Sequence, residues 1–273
     1  MAPTLIHRPS ASRGHANHGW LKSFHTFNFA DYYSEVPREQ HWGPLYVINE
    51  DRVSPGRGFP PHPHREFEIF SYIVDGTIHH QDSMSHSEKI SRGGIQSTSA
   101  GTGIRHGEGN GGKPGEDLHF LQIWAKPHTK GLKPSYYTRT FTDSEKHNTL
   151  VPVVSDVSSP SITDSREGSG PTPVHSHLTM LASILSPSST VSHTFEQPKG
   201  YLHLIMRKTG YRSPSSELQG KGPRVAVKVG EQKEVVVEEG DGVYLDKVEG
   251  ETVSFTSVGD AEAELVLFDL AEQ

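Results

Sequence analysis

The chain contains no cysteine. Disulfide bridges, thiolate zinc sites and thiol nucleophiles are therefore excluded, and a reducing, intracellular compartment (cytoplasm, or also nucleus) is expected. Long apolar runs are missing too. Only 32% of the 273 residues are hydrophobic, no stretch approaches the length needed to cross a bilayer, and no membrane association is expected. Met1 to Ser10 holds two prolines and no apolar segment of the kind a secretory signal needs. Basic blocks are scarce. The formal net charge is -7, Arg207-Lys208 is too short to be a nuclear signal, and direct nucleic-acid binding is not expected.

Amphipathic helical spacing is rare. Short runs with alternating apolar residues dominate instead, at Leu45 to Ile48, Glu68 to Val74, His119 to Ala125, Tyr201 to Met206, Arg224 to Val229, Glu234 to Val237 and Glu264 to Phe268. They are rich in Val, Ile, Tyr and Phe, and turn residues separate them at hairpin distances. The pattern predicts an all-β protein of antiparallel sandwiches or barrels. Ser155 to Pro173 has almost nothing to bury and reads as an exposed linker or long loop. It suggests an N-terminal domain over 1–145 and a C-terminal domain over 146–273 that begins with this linker.

Histidine is abundant, at 18 residues, and imidazole is the commonest metal ligand. In Gly58-Phe-Pro-Pro-His62-Pro-His64 the two histidines are two apart, so on a strand they share a face. Glu66 and Glu68 share that parity. In Ala100-Gly101-Thr-Gly103-Ile-Arg-His106-Gly-Glu108 a glycine-rich turn, where positive φ is expected, leads to a second such pair, His106 and Glu108. Three neutral nitrogens and one carboxylate suit iron(II), manganese, nickel, copper or zinc better than magnesium or calcium, and leave coordination positions open for chemistry. The rival histidines His79, His80 and His86 flank a polar turn and are expected to face solvent. His175 and His177 repeat the spacing without a glycine-rich His/Glu partner and read as surface residues. The C-terminal half shows no such ligand set and is expected to be metal-free.

These motifs resemble the pirin family of the cupin superfamily. The resemblance rests on Gly19-Trp20-Leu21-Lys22-Ser23-Phe24-His25-Thr26-Phe27, Val47 to Val53, Gly58 to His64, Ala100 to Glu108, Leu121-Gln122-Ile123-Trp124 and Glu264 to Leu270. It implies a bicupin, two antiparallel jelly-roll-like β-barrels. One divalent ion per chain, iron(II) being the usual pirin metal, would be held by His62, His64, His106 and Glu108. A generic cupin would take its carboxylate from Glu68 instead. Gly107, the glycine-rich Glu108–Gly115 loop and Arg92-Gly93-Gly94 depart from the family pattern. The resemblance also implies a dioxygenase that cleaves flavonols such as quercetin with O2, with Glu108 as general base. Its alternative is a metal- or redox-sensing regulator that binds a protein partner such as a transcription factor.

Overall fold

The computed structural model describes residues 2–207 and 221–272, so Lys208 of the Arg207-Lys208 pair lies outside the described residues. The expected runs are strands: Leu45–Val53, Glu68–Asp75, Leu118–Ala125, Lys199–Leu204, Arg224–Val229, Val235–Glu238 and Ala263–Leu270. Helix among the described residues is limited to Asp143–Lys146 and two three-residue 3-10 turns. The short helix starts at Thr142, where Thr142 Oγ1 accepts from the Glu145 backbone and Glu145 reaches back in a capping box.

The chain forms two compact units. One comprises Gly14–Phe141 and Ser155–His177, the other Met1–Arg13, Thr142–Val154 and Leu178–Gln273. Each is a jelly-roll-like pair of antiparallel sheets rather than a closed barrel.

In the first unit the larger sheet runs Ser135–Thr140, Gly94–Ser99, Glu68–Asp75, Leu118–Ala125, Leu45–Val53, Leu21–His25, Gly14–Asn17. The smaller runs Gly58–His64, Ile104–Asn110, Thr77–Asp82, Ser87–Ser91. Their facing sides close over a dry core of Val53, Ile73 and Phe120 from one sheet and Ile78 and Ile90 from the other. Burial of such side chains is worth roughly 1.5–3 kcal/mol each, and it fixes which face of every strand turns inward.

The Ser155–Pro173 stretch belongs to this unit: its end, Pro171 to Pro173, is buried, and its exposed middle is held through backbone carbonyls. Arg139 donates to the carbonyls of Thr163, Ser165 and Arg166, and Arg166 pairs with Glu88.

In the second unit, Thr4–Arg8 pairs with Gly242–Asp246, a distant partner that alternation alone cannot reveal. Its core joins Leu202, Leu245 and Leu267 to Val225, Val227 and Phe255 of the smaller sheet. Among the described residues, none of the groups of three His, Asp or Glu side chains that could hold an ion lies in this unit.

Candidate metal centre

The centre is built on the smaller sheet of the first unit. Register sets His106 opposite His62 on one side and Asp82 on the other, and Glu108 opposite His80. Pro60 and Pro61 have no N–H to give the ladder, and the pairing with Ile104–Asn110 slips there, between His106 and Glu108. Within its own strand the His106–Glu108 parity survives, and both side chains are buried.

Three imidazoles converge. Ring centroids lie 4.7 Å apart for His62–His64 and 4.8 Å for both His62–His106 and His64–His106. One nitrogen of each lies within 4.8 Å of the others, and a second such group joins His106 to Glu108 and His80. The Pro60 carbonyl, 2.8 Å from His62 Nδ1, orients that ring with Nε2 free for an ion. His106 is 2% exposed and neither ring nitrogen has a hydrogen-bond partner. A buried imidazole left in this state is expensive unless something else binds it, so the donor set fits a divalent ion.

Burial, and then the neighbouring imidazoles, push His64 and His106 down to about 3. Both are thus neutral, with lone pairs available at neutral pH. Burial pushes Glu108 up from the ordinary carboxylate range, against the lowering influence of His80, His62, Gln122 and Gln96. The amides of Gln96 and Gln122 both donate to its carboxylate.

The two depressed histidines set a pH dependence for the metal-free protein. Unfolded histidines take protons below about 6.5, whereas these two stay neutral down to about 3 in the fold. Acidification through that window therefore favours unfolding, and the stability present above pH ~6.5 is lost as pH falls. Urea melts of the apo protein from pH 7 to 4 should show this decline, and His106→Ala should flatten it. A melt that does not change with pH across the window would contradict the neutral-imidazole picture.

The glycine-rich turn behaves as its composition requires. Gly101 has φ +46° and Gly103 φ +142°, and a Cβ on Gly101 would sit 2.0 Å from the Leu132 carbonyl oxygen. Gly101→Ala should destabilise by on the order of 3 kcal/mol, joining the left-handed penalty to a backbone clash. Thermal denaturation reads this out, and an unchanged midpoint would show that the turn relaxes freely.

The carboxylates that share parity with His62 and His64 go elsewhere. Glu66 sits at φ +55° and accepts from the Gly131 N–H at 3.2 Å. Glu68 is buried and accepts from Ser99 Oγ at 2.7 Å and the His175 N–H at 3.1 Å. His175 is therefore a partner of Glu68 rather than a free surface residue.

The expectation that His80 faces solvent needs correction, whereas its neighbour His86 is partly exposed. His80 is fully buried, 5.4 Å from the His106 ring and stacked on Tyr136 at 4.5 Å. His80 Nε2 and His86 Nδ1 both face Asp82 Oδ2, at 3.2 and 2.8 Å. The position of His80 beside a polar turn suggested exposure, but Ile78, His80 and Asp82 alternate, and the apolar member marks that face as inward. That signal was present in the sequence.

Beside the imidazoles stands an aromatic wall. Trp124 is edge-on to His64 at 4.9 Å and touches Phe67 and Phe29 at 5.5 and 5.7 Å. A cavity of about 470 Å³ opens at His64, lined also by Pro63, Arg65, Ser83, Thr102, Gly103, Ile104 and Arg105. That volume lies in the usual range for small-molecule sites, about 300–1,000 Å³.

A Pirin family model matches residues 7–125. Quercetin 2,3-dioxygenase of Escherichia coli K12 is 48% identical over 134 residues, 49% of this chain and 57% of that protein. The matched stretch thus spans less than two thirds of that relative's length. A pirin-like protein of Caulobacter vibrioides is 35% identical over 196 residues, 71% of this chain and 79% of that protein. Among solved structures, the bacterial pirin YhhW from Escherichia coli in complex with nickel(II) superposes with a TM-score of 0.78 at 32% identity, covering 99% of this chain and all of that one.

Proposed function

The chain belongs to the pirin family, and from that premise we propose that it is a metal-dependent dioxygenase that cleaves flavonols such as quercetin with O2. The observation that carries the reading is the unpartnered, buried His106 between His62 and His64, beside the raised carboxyl of Glu108.

In this reading His62, His64, His106 and Glu108 hold one divalent ion, iron(II) by preference. A solved relative was captured with nickel(II), so nickel is the first alternative. Such an ion would supply an anchoring position for the flavonol 3-oxygen and a route for electrons to O2.

The protein's own groups do the rest. Glu108 takes the 3-hydroxyl proton, a role that suits a carboxyl whose proton affinity burial has raised. Trp124, packed edge-on to His64 and against Phe29 and Phe67, would offer a flat aromatic ring an apolar neighbour beside the ion. Arg65 and Arg105 line the cavity and favour an electron-rich phenolate. Gln96 and Gln122 hold the Glu108 carboxylate in place by hydrogen bonds.

The test is oxygen uptake with quercetin by protein reconstituted separately with iron(II) and nickel(II). Consumption that requires the metal and stops on chelation is expected. No uptake with any of a panel of flavonols, in protein of verified metal content, would overturn the reading.

A further inference from the structure

The second His-x-His motif leads to another cluster, well separated in sequence from the first. His177 Nδ1 lies 2.9 Å from Asp156 Oδ2, and His128 Nε2 lies 3.5 Å from the same oxygen. The two imidazoles stack with centroids 4.6 Å apart, and one ligand atom from each of the three residues lies within 4.8 Å of the others.

We propose that His128, Asp156 and His177 form a second divalent-metal site, of the zinc class, that clips the two ends of the 157–176 segment to the body of the first unit.

Three observations support a built site. First, the carboxylate is preset. Ser158 donates to Asp156 Oδ1 from both its N–H, at 2.8 Å, and its hydroxyl, at 2.7 Å, leaving Oδ2 for the imidazoles. Second, the His128 ring is oriented by Thr129 Oγ1, 3.0 Å from Nδ1, which leaves Nε2 turned to the cluster. A hydrogen bond to the other ring nitrogen is the usual partner of a ligating imidazole. Third, the donor chemistry is selective. Two imidazoles and one carboxylate suit zinc, nickel or copper, and the partial exposure of all three side chains leaves a fourth position to water. Ligands on a tetrahedral ion with bonds of about 2.1 Å stand roughly 3.4 Å apart, so small side-chain adjustments complete the geometry.

Placement gives the site its consequence. Asp156 precedes the 157–176 segment and His177 follows it, while His128 stands in the segment after Leu118–Ala125. The backbone closes the same neck: the Val157 N–H donates to the Val174 carbonyl at 2.9 Å and the His128 N–H to the His175 carbonyl at 2.8 Å. An ion there replaces the shared His177–Asp156 proton with a bond to all three residues. Since a ligand that binds only the closed form reduces opening by the factor 1 + [L]/Kd, free zinc at ten times Kd should slow opening about tenfold.

The test is a zinc titration by equilibrium dialysis with metal analysis, run on wild type and on His106→Ala, which removes the donor common to both groupings of the first cluster. His106→Ala should retain one zinc equivalent, and His106→Ala/His177→Ala should retain none. Limited trypsinolysis supplies a readout independent of activity: zinc should slow cleavage after Arg166, inside the segment, about tenfold in His106→Ala and not in the double variant. No zinc in His106→Ala, or an equivalent unaffected by both His128→Ala and His177→Ala, overturns the site. Zinc bound through these residues with no change in cleavage after Arg166 overturns the clip.

Discussion

Replacing His106 by alanine should empty the proposed His62–His64–His106 metal centre. Iron content after reconstitution and desalting should fall from one equivalent to near zero, and His62→Ala should do the same. In contrast, His177→Ala should keep the iron, because its ring joins Asp156 and His128 and not the His62–His64–His106 cluster. His106 stands directly opposite His62 and packs against His64 and His80 as well. Its loss therefore removes the donor shared by every grouping at this centre, and the remaining rigid ligands cannot move to replace it.

Misfolding and ligand loss are separable here. In the apo protein His106 is a buried imidazole with neither nitrogen satisfied, so truncating it relieves a desolvated polar group even as it leaves a cavity. The apo variant should melt close to apo wild type, whereas the stabilisation by added metal should vanish. For wild type that stabilisation is about 2.7 kcal/mol at a free metal concentration one hundred times Kd. A His106→Ala protein that retains iron, or still gains stability on adding it, would move the centre elsewhere. Equal iron loss from His177→Ala would do so too.

The alternation of apolar residues was enough to place seven of the strands, because a half-buried strand must repeat its pattern every second residue. The same rule put His62 with His64, and His106 with Glu108, before any partner strand was known. It could not choose among carboxylates. Glu66 and Glu68 share the parity of the histidines, but Glu66 takes positive φ at a turn after the strand has ended. Glu68 begins a strand of the other sheet, where Ser99 and His175 take up its oxygen. The chain reverses between the motifs, and parity carries no information across a reversal.

Contacts between distant segments were equally hidden. Thr4–Arg8 pairs with a strand more than two hundred residues away, and the Ser155–Pro173 stretch is held by Arg139 through carbonyl oxygens that every residue has. Composition reports what a segment can bury, not which backbone groups a remote arginine will reach.

Glu108→Gln should remove most of the proposed flavonol turnover while sparing much of the metal. Glutamine has nearly the shape of glutamate and still offers an oxygen, but its amide cannot accept a proton at neutral pH. A lost general base typically lowers rate by about a hundredfold to ten-thousandfold, and kcat for quercetin should fall within that span. Metal affinity should fall less, since His62, His64 and His106 remain. Gln96 and Gln122 donate to the carboxylate of Glu108, and a neutral amide weakens both charge-assisted bonds, so a modest loss of stability should accompany the change. Glu68→Gln is the comparison. It faces Ser99 and the His175 N–H instead of the imidazole cluster, so it should reduce stability more than turnover per bound metal. Suppose instead that Glu68→Gln loses the metal while Glu108→Gln changes neither iron content nor oxygen uptake. The carboxylate ligand would then be the generic cupin one, and Glu108 would be a buried acid held by two amides with no part in proton transfer.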